Sequence, residues 1–171
     1  RFDGDFFDYA IVRSNIISTS AMVYNFSKFP KLRFNTKLFN GQDRLFKLAL
    51  SQLTNKIAFC SEILVFEDEG VNIFDNAKWG TNKSLKLTTN YIKLSKCILA
   101  DLQLNNKNKK IIENKLNESR FSVLANIMYL LKNGESIDWH LVKTIIIVDP
   151  YFLISTIPNL IKILFKKVAQ S

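Results

Sequence analysis

The residues best placed to do chemistry lie in one short segment, Asn40-Gly41-Gln42-Asp43. A basic and aromatic extended stretch precedes this segment, and apolar residues follow it at helical spacing up to Leu53. The pattern predicts that Asp43 lies in the first turn of a helix, where the helix dipole favours a carboxylate. Such a carboxylate can orient a hydroxyl, bind a cation or accept a proton. It can equally be a helix-start charge with no catalytic role.

A second segment with polar side chains precedes the first. Asn15–Tyr24 is rich in β-branched and apolar residues around Ser18, Thr19 and Ser20. This composition predicts a strand whose middle carries hydroxyl groups. The hydroxyls either donate to a ligand oxygen or form hydrogen bonds to the backbone.

The order of three segments resembles the acceptor-side half of bacterial family 2 glycosyltransferases of the inverting GT-A type. The segments are the hydroxyl-bearing strand, then FPKLRFNTKLFNGQDRLFKLAL, and then IAFCSEILVFEDEGVNI, which predicts one or two strands at Ile57–Phe59 and Glu62–Phe66. In that family the acidic residue that closes a Gly-Glu-Asp signature opens a helix and is the catalytic base. Gly41-Gln42-Asp43 stands in that place here, and Glu69–Ile73 stands at a later family motif. The resemblance covers the range Phe6–Leu85.

The resemblance implies an α/β fold class. Residues 1–83 would be the C-terminal part of a GT-A (nucleotide-diphospho-sugar transferase) fold, and residues 84–171 a basic, mostly α-helical extension. The implied activity is inverting transfer of a sugar from a nucleotide-sugar donor to a saccharide or lipid-linked glycan, as in the synthesis of bacterial cell-surface polysaccharides. Asp43 would remove the proton from the acceptor hydroxyl.

The same resemblance implies a set of substrate-binding residues: Ser18, Thr19, Ser20, Gln42, Arg44, Trp79 and Gly80. Where the family usually has Glu, this chain has Gln42. The implied base, Asp43, is retained, but the carboxylate that precedes it in the family is absent. Trp79 either stacks on a sugar ring as part of a lid or fills the base of the following helix.

The sequence does not contain the nucleotide-binding half of such an enzyme, with its Asp-x-Asp metal motif. We therefore expect the chain, which starts at Arg1, to be part of a longer enzyme and to be inactive alone. A divalent cation, Mg²⁺ or Mn²⁺, would be held mainly by the missing half. The single histidine, His140, gives no metal-ligand pattern with Cys60 and Cys97, which we interpret as reduced, buried thiols.

The charge of the chain is concentrated in its second half. The formal net charge is +9, with 9 basic and 9 acidic residues in residues 1–75 but 15 basic and 6 acidic residues in residues 76–171. This asymmetry indicates an anionic partner for the second half, either a membrane surface or a nucleic acid. Nucleic acid is the poorer fit, because the lysines alternate with leucine and isoleucine rather than with exposed aromatic residues.

The pattern of apolar residues in the second half of the chain predicts helices throughout it. An apolar stripe runs from Ser84, and a polar break follows at Leu104–Lys110. The next helix is predicted to end at Asn133-Gly134, and Ser136 is predicted to cap the one after it.

The last run of the chain is YFLISTIPNLIKILFKKVAQS. A membrane-spanning helix needs about 20 uninterrupted apolar residues, whereas Asp149, Pro150 and Pro158 break this region. The run either lies in the plane of an anionic membrane or packs on the preceding helices. We expect a cytoplasmic protein, peripheral on the inner face of the plasma membrane. The alternative to an enzyme is a non-catalytic basic helical module that binds a membrane or a partner.

Overall fold

The computed structural model of the protein describes residues 4–13, 21–60, 62 and 77–168, with side chains up to residue 161. The regular elements in these ranges are α1 (Phe6–Val12), α2 (Gln42–Leu53), α3 (Asn82–Asp101), α4 (Asn106–Lys132), α5 (Trp139–Val148) and α6 (Tyr151–Val168), with one 3₁₀ turn at Phe26–Lys28. All of them are helical.

The predicted α/β fold class, a GT-A part followed by a helical extension, is therefore wrong for the described residues. Of residues 21–24 and 57–59, which the sequence predicted as strands, Ala21 has a 3₁₀ conformation and the others have no regular structure. Strand propensity stabilises a sheet only when cross-strand neighbours bury the side chains. Val23, for example, is 97% exposed.

Helices α3 and α4 form the spine of the molecule. The four-residue connection between them makes them antiparallel neighbours, and they share the largest helix–helix interface in the described chain. Asn105 begins α4 by accepting a hydrogen bond from the backbone N–H of Asn108 at 2.8 Å. Because of this cap the helix starts at Asn106, inside the segment predicted as a polar break.

Two apolar cores lie along the spine. The first core packs α1 and α2 against the C-terminal half of α3 and the start of α4, and its members are Phe6, Phe7, Ala10, Ile11, Leu38, Leu45, Leu48, Leu94, Ile98 and Ile112. The second core packs α5 and α6 against the other end of the spine, and its members are Leu85, Ile92, Leu116, Val123, Leu124, Ile127, Leu130, Ile145 and Phe152. The first core draws on both sides of residue 83. The domain boundary at that residue stays a prediction.

The structure confirms the predicted end of α4 and corrects the predicted start of α5. Asn133 ends α4 and Gly134 follows at φ 67°, the left-handed conformation expected of a helix C-terminus. Asp138, rather than Ser136, begins α5, because its carboxylate accepts from the backbone N–H groups of His140 and Leu141 at 3.0 and 3.3 Å. A carboxylate at this position also interacts favourably with the helix dipole.

Candidate functional site

Asp43 lies where the sequence predicted, in the first turn of α2. Gly41 precedes the helix at φ 80°, and a Cβ atom there would lie 2.6 Å from Cδ2 of Leu94 on α3. Both the backbone conformation and the close approach therefore require glycine. The Asp43 carboxylate is 45% exposed and lies 3.3 Å from Nζ of Lys47, one turn along α2. The carboxylate is thus accessible and faces a cation.

Gln42 has a local structural role. Its Nε2 donates to the carbonyl oxygens of Leu38 and Phe39, at 2.6 and 3.4 Å, and so closes the turn that leads into α2. A contact between Gln42 and a substrate stays a prediction.

Asn90 of α3 holds the same turn from the other side, and the sequence analysis did not single it out. Its Oδ1 accepts from the backbone N–H of Phe39 at 2.8 Å, and its Nδ2 donates to the carbonyl of Asn40. Asn90 is buried, at 3% exposure. In the sequence, the only signal for this role is a polar residue within the apolar stripe of α3. That signal does not identify the backbone groups to which Asn90 is hydrogen-bonded.

Trp79 and Gly80 form a turn at the start of α3. Gly80 has φ 80°, and a Cβ atom there would lie 2.1 Å from Cε1 of Tyr129 on α4. The turn is therefore tightly packed on α4. The Trp79 side chain itself is half exposed. Its predicted stacking on a sugar stays a prediction.

The remaining predicted residues, Ser18, Thr19 and Ser20, lie outside the described residues, as does the family motif at Glu69–Ile73. Convergence of the hydroxyls, Asp43 and Trp79 on one site is therefore not observed. Of the predicted site residues that the structure describes, Arg44 alone lines the larger cavity.

That cavity has a volume of about 620 Å³ and lies between α1, α2 and the residues that follow each of these helices. It is lined by five basic side chains and by one acidic side chain, Glu62: the basic ones are Arg13, Lys28, Arg44, Lys47 and Lys56. Its walls also include the aromatic rings of Phe6, Tyr24, Phe29 and Phe59. We call it the basic cavity.

Arg44 is the most enclosed cation of the basic cavity. Its Nη2 donates to the carbonyl of Ile11 at 3.3 Å, whereas its buried Nε has no hydrogen-bond partner. Burial lowers the pKa of Arg44, and the nearby Tyr91 and the charge of Asp43 partly oppose this effect. The carbonyl of Ile11 accepts a second hydrogen bond, at 3.1 Å, from Nζ of Lys115 on α4. Burial, and then the charge of Arg44, lowers the pKa of Lys115.

A different ionic cluster lies at the junction of α3, α4 and α5. Asp149 is fully buried between α5 and α6, and Arg120 of α4 donates to both of its carboxylate oxygens, from Nε at 2.6 Å and from Nη2 at 2.8 Å. Lys96 of α3 lies 3.3 Å from the same carboxylate. Burial favours the neutral form of Asp149, but the hydrogen bonds and charges of Arg120 and Lys96 prevail, so the pKa of Asp149 lies below its usual value.

Helix α6 buries a face that is partly polar and exposes one that is apolar. Phe152, Ser155 and Asn159 are buried, and the Ser155 hydroxyl donates to the carbonyl of Phe152 within the helix at 2.8 Å. The opposite face carries four exposed apolar side chains, Leu153, Ile154, Ile157 and Ile161. We call these four residues the α6 apolar face. It is the reverse of the usual pattern for a surface helix.

No single helix in the described chain is long and apolar enough to cross a membrane, although α5 and Tyr151–Ile161 of α6, bent by 112°, have the length and composition together. Within the described residues, no three His, Cys, Asp or Glu side chains cluster closely enough to hold a metal ion. Cys60 and Cys97 are free thiols, but the prediction that both are buried is wrong, because Cys60 is exposed and Cys97 is half-buried. Partial burial raises the pKa of Cys97. The predicted cation of the longer enzyme stays a prediction.

The resemblance to glycosyltransferases has no independent support from known proteins. Comparisons of the chain with protein-family models, with curated proteins and with solved structures yield no significant match.

Proposed function

We propose that this chain is a helical module that binds the surface of an anionic membrane through the α6 apolar face. The observation that carries the proposal is the reversed burial of α6, with Ser155 inside and Ile154 and Ile157 outside, at 66% and 69% exposure. A partner that covers this face removes apolar surface from water, which stabilises the complex by about 1.5–3 kcal/mol for each fully buried Leu or Ile side chain.

The spacing of the exposed residues fits a helix that lies in the plane of the membrane. Leu153, Ile154, Ile157 and Ile161 follow the helical repeat and form one stripe along α6. The preceding helix, α5, exposes Trp139 and Ile147 about two turns apart. An in-plane helix with a flanking tryptophan buries such a stripe at the boundary between headgroups and acyl chains.

Charge distinguishes a membrane from an apolar protein partner. The whole excess positive charge of the chain lies in residues 76–171. Lys143 is exposed on α5 between Trp139 and Ile147, and Lys162, Lys166 and Lys167 follow the α6 apolar face in the sequence. Basic residues close to an anionic leaflet contribute about 1 kcal/mol each.

Vesicle binding tests this proposal. We expect the protein to sediment with vesicles of phosphatidylcholine and phosphatidylglycerol, and to bind pure phosphatidylcholine less well. The double variant Ile154→Ser/Ile157→Ser should weaken binding by at least about tenfold, because two apolar side chains no longer enter the membrane. The matched control, Leu53→Ser/Leu131→Ser, changes two apolar residues of α2 and α4 with exposures of 58% and 57%, and should leave binding unchanged.

Three outcomes would overturn the proposal. The first is no binding to anionic vesicles, and the second is equal weakening by the two double variants. The third is a stable dimer in solution that the Ile154→Ser/Ile157→Ser variant dissociates, because the α6 apolar face would then be covered by a second copy of the chain.

A second candidate function is glycosyl transfer by a longer protein that includes this chain, with Asp43 as the general base. One specific observation favours it: Asp43 opens α2 directly after a turn that requires Gly41, and its carboxylate is accessible. A base needs such a carboxylate within hydrogen-bond reach of the acceptor hydroxyl. Binding to a membrane would bring a lipid-linked acceptor close to the protein.

Turnover of UDP- and GDP-sugars by the product of the complete open reading frame tests this second candidate. Asp43→Asn should abolish release of the nucleoside diphosphate while the protein remains folded, because the exposed Asp43–Lys47 pair contributes only about 0.3–0.5 kcal/mol. Asp101→Asn, at an exposed residue of α3, is the control. Unchanged turnover in Asp43→Asn would remove Asp43 from the mechanism.

A further inference from the structure

The basic cavity contains more positive charge than the described residues neutralise. Five cations and one carboxylate line it. The ion pair of Lys47 with Asp43 accounts for one of the five cations. Arg13, Lys28 and Lys56 are exposed at its rim, and Arg44 lies deeper.

The surroundings of Arg44, behind the cavity wall, show the same imbalance. Among the described residues, no carboxylate lies within 4.0 Å of the Arg44 guanidinium or of the Lys115 ammonium group. The two cations share one neutral acceptor, the carbonyl of Ile11, and the Nε of Arg44 has no acceptor at all. A half-buried cation without a counter-charge is costly, so a bound anion that pairs with the Arg44 guanidinium would be favoured.

We propose that the basic cavity binds a phosphate-bearing anion with an apolar or aromatic body, with Arg44 as the contact for the phosphate. A phosphate group suits this site because its several oxygens accept from a planar guanidinium at two points and its charge exceeds that of a carboxylate. The lysines at the rim attract the same group.

The size and walls of the cavity indicate the rest of the ligand. A volume of about 620 Å³ lies within the usual range for organic ligands and exceeds what inorganic phosphate needs. The rings of Tyr24, Phe29 and Phe59 line it, and they favour an apolar or planar group. The source is either the headgroup region of a phospholipid or a free organic phosphate. The site is separate from the α6 apolar face, so this proposal stands without the membrane proposal.

Calorimetric titrations at low salt test the proposal and separate the two sources. The probes are inorganic pyrophosphate, dihexanoyl phosphatidic acid below its micelle concentration, and dihexanoyl phosphatidylcholine. We expect phosphatidic acid and pyrophosphate to bind and phosphatidylcholine not to bind. Tighter binding of phosphatidic acid than of pyrophosphate would assign the site to a phospholipid, and the reverse order would assign it to a free phosphate.

Two variants locate the binding site. Lys28→Gln/Lys56→Gln, at the exposed rim, should weaken phosphate binding by about three- to tenfold, which corresponds to two partly screened charge contacts. Arg44→Gln should weaken it further. The matched control, Lys107→Gln/Lys110→Gln, removes two exposed charges of α4 that do not line the cavity and should leave the dissociation constant unchanged.

Any one of three results would overturn the proposal. The first is no binding of either phosphate probe by the wild-type protein. The second is equal weakening by the rim and the control variants, which means non-specific attraction to net charge. The third is phosphate binding that appears only after neutralisation of Glu67, Asp68 and Glu69, because these acidic residues of the same chain would then be the occupants of the cavity.

Discussion

Two arginines of this protein, the buried Arg120 and the half-buried Arg44, differ in how their charge is neutralised. Arg120 makes two hydrogen bonds to the carboxylate of Asp149, and its Nη1 makes a third to Asn117 at 2.7 Å. Arg44 makes one hydrogen bond to the carbonyl of Ile11, and its Nε has no partner. Both side chains lie at contacts between helices of the spine and the helices packed on it.

The difference separates a structural charge from one that is available to a ligand. The ion pair of Arg120 and Asp149 joins α4 to the corner between α5 and α6, and no buried nitrogen or oxygen atom of the two side chains lacks a hydrogen-bond partner. It therefore positions the helices that carry the α6 apolar face. Arg44 is half-buried and forms no ion pair with a carboxylate among the described residues, which is unfavourable for the fold alone and favourable for binding an anion.

The largest expected effect is that of breaking the paired site. Asp149→Asn should lower the free energy of unfolding by about 3–5 kcal/mol, because it leaves Arg120 buried without a counter-charge. Urea denaturation followed by circular dichroism measures the change. Asp101→Asn, at an exposed residue of α3, should change stability by less than about 0.5 kcal/mol. A similar small loss in Asp149→Asn would mean that the pair does not hold the corner between α5 and α6.

A smaller effect on the free energy of unfolding is expected when a fall in pH protonates Asp149 of the same pair. The pKa of Asp149 lies below its usual value of 3.8, so the folded state binds this proton less readily than the unfolded state does. The stabilisation from ionised Asp149 is therefore complete well above the usual value and is lost as the pH falls through the lowered one. The difference in unfolding free energy between wild type and Asp149→Asn should be constant near neutral pH and decrease below about pH 4. A difference independent of pH down to 2 would contradict the assignment.

The smallest expected effect concerns the unpaired site. Arg44→Met keeps most of the apolar stem and removes a cation that has no carboxylate partner, so it should change the free energy of unfolding by less than about 1 kcal/mol. Arg120→Met, the matched change at the paired site, should be far more destabilising. Equal losses in the two variants would remove the distinction between the two arginines. The pKa of Lys115 should also rise in Arg44→Met, because the charge of Arg44 lowers it.

Predictions from the sequence were most accurate for features that depend on residues close together along the chain. The position of Asp43 in the first turn of α2 is confirmed, and so is the end of α4 at Asn133 and Gly134. A left-handed glycine, a capping side chain and a helical apolar stripe act within a few residues, and a single segment of sequence contains all of them.

The prediction of a sheet was wrong because a sheet is a non-local structure. Apolar β-branched residues, as in residues 21–24 and 57–59, form strands only when another strand pairs with them and a core covers them. In the described chain the apolar residues near them are buried against helices instead. The resemblance to a GT-A enzyme concerned the order of short segments, and such an order does not determine which segments pair.

The sequence by itself determined the helical character of the second half, the position of Asp43 in the first turn of a helix and the excess of positive charge in residues 76–171. Tertiary structure alone decided that Asp149 pairs with Arg120, 29 residues away along the chain, and that Arg44 has no such partner. It also decided that α6 exposes Ile154 and Ile157 and buries Ser155. The physical reason is that helix formation depends on contacts within a few residues, whereas the burial and pairing of a charge depend on which distant surfaces pack together.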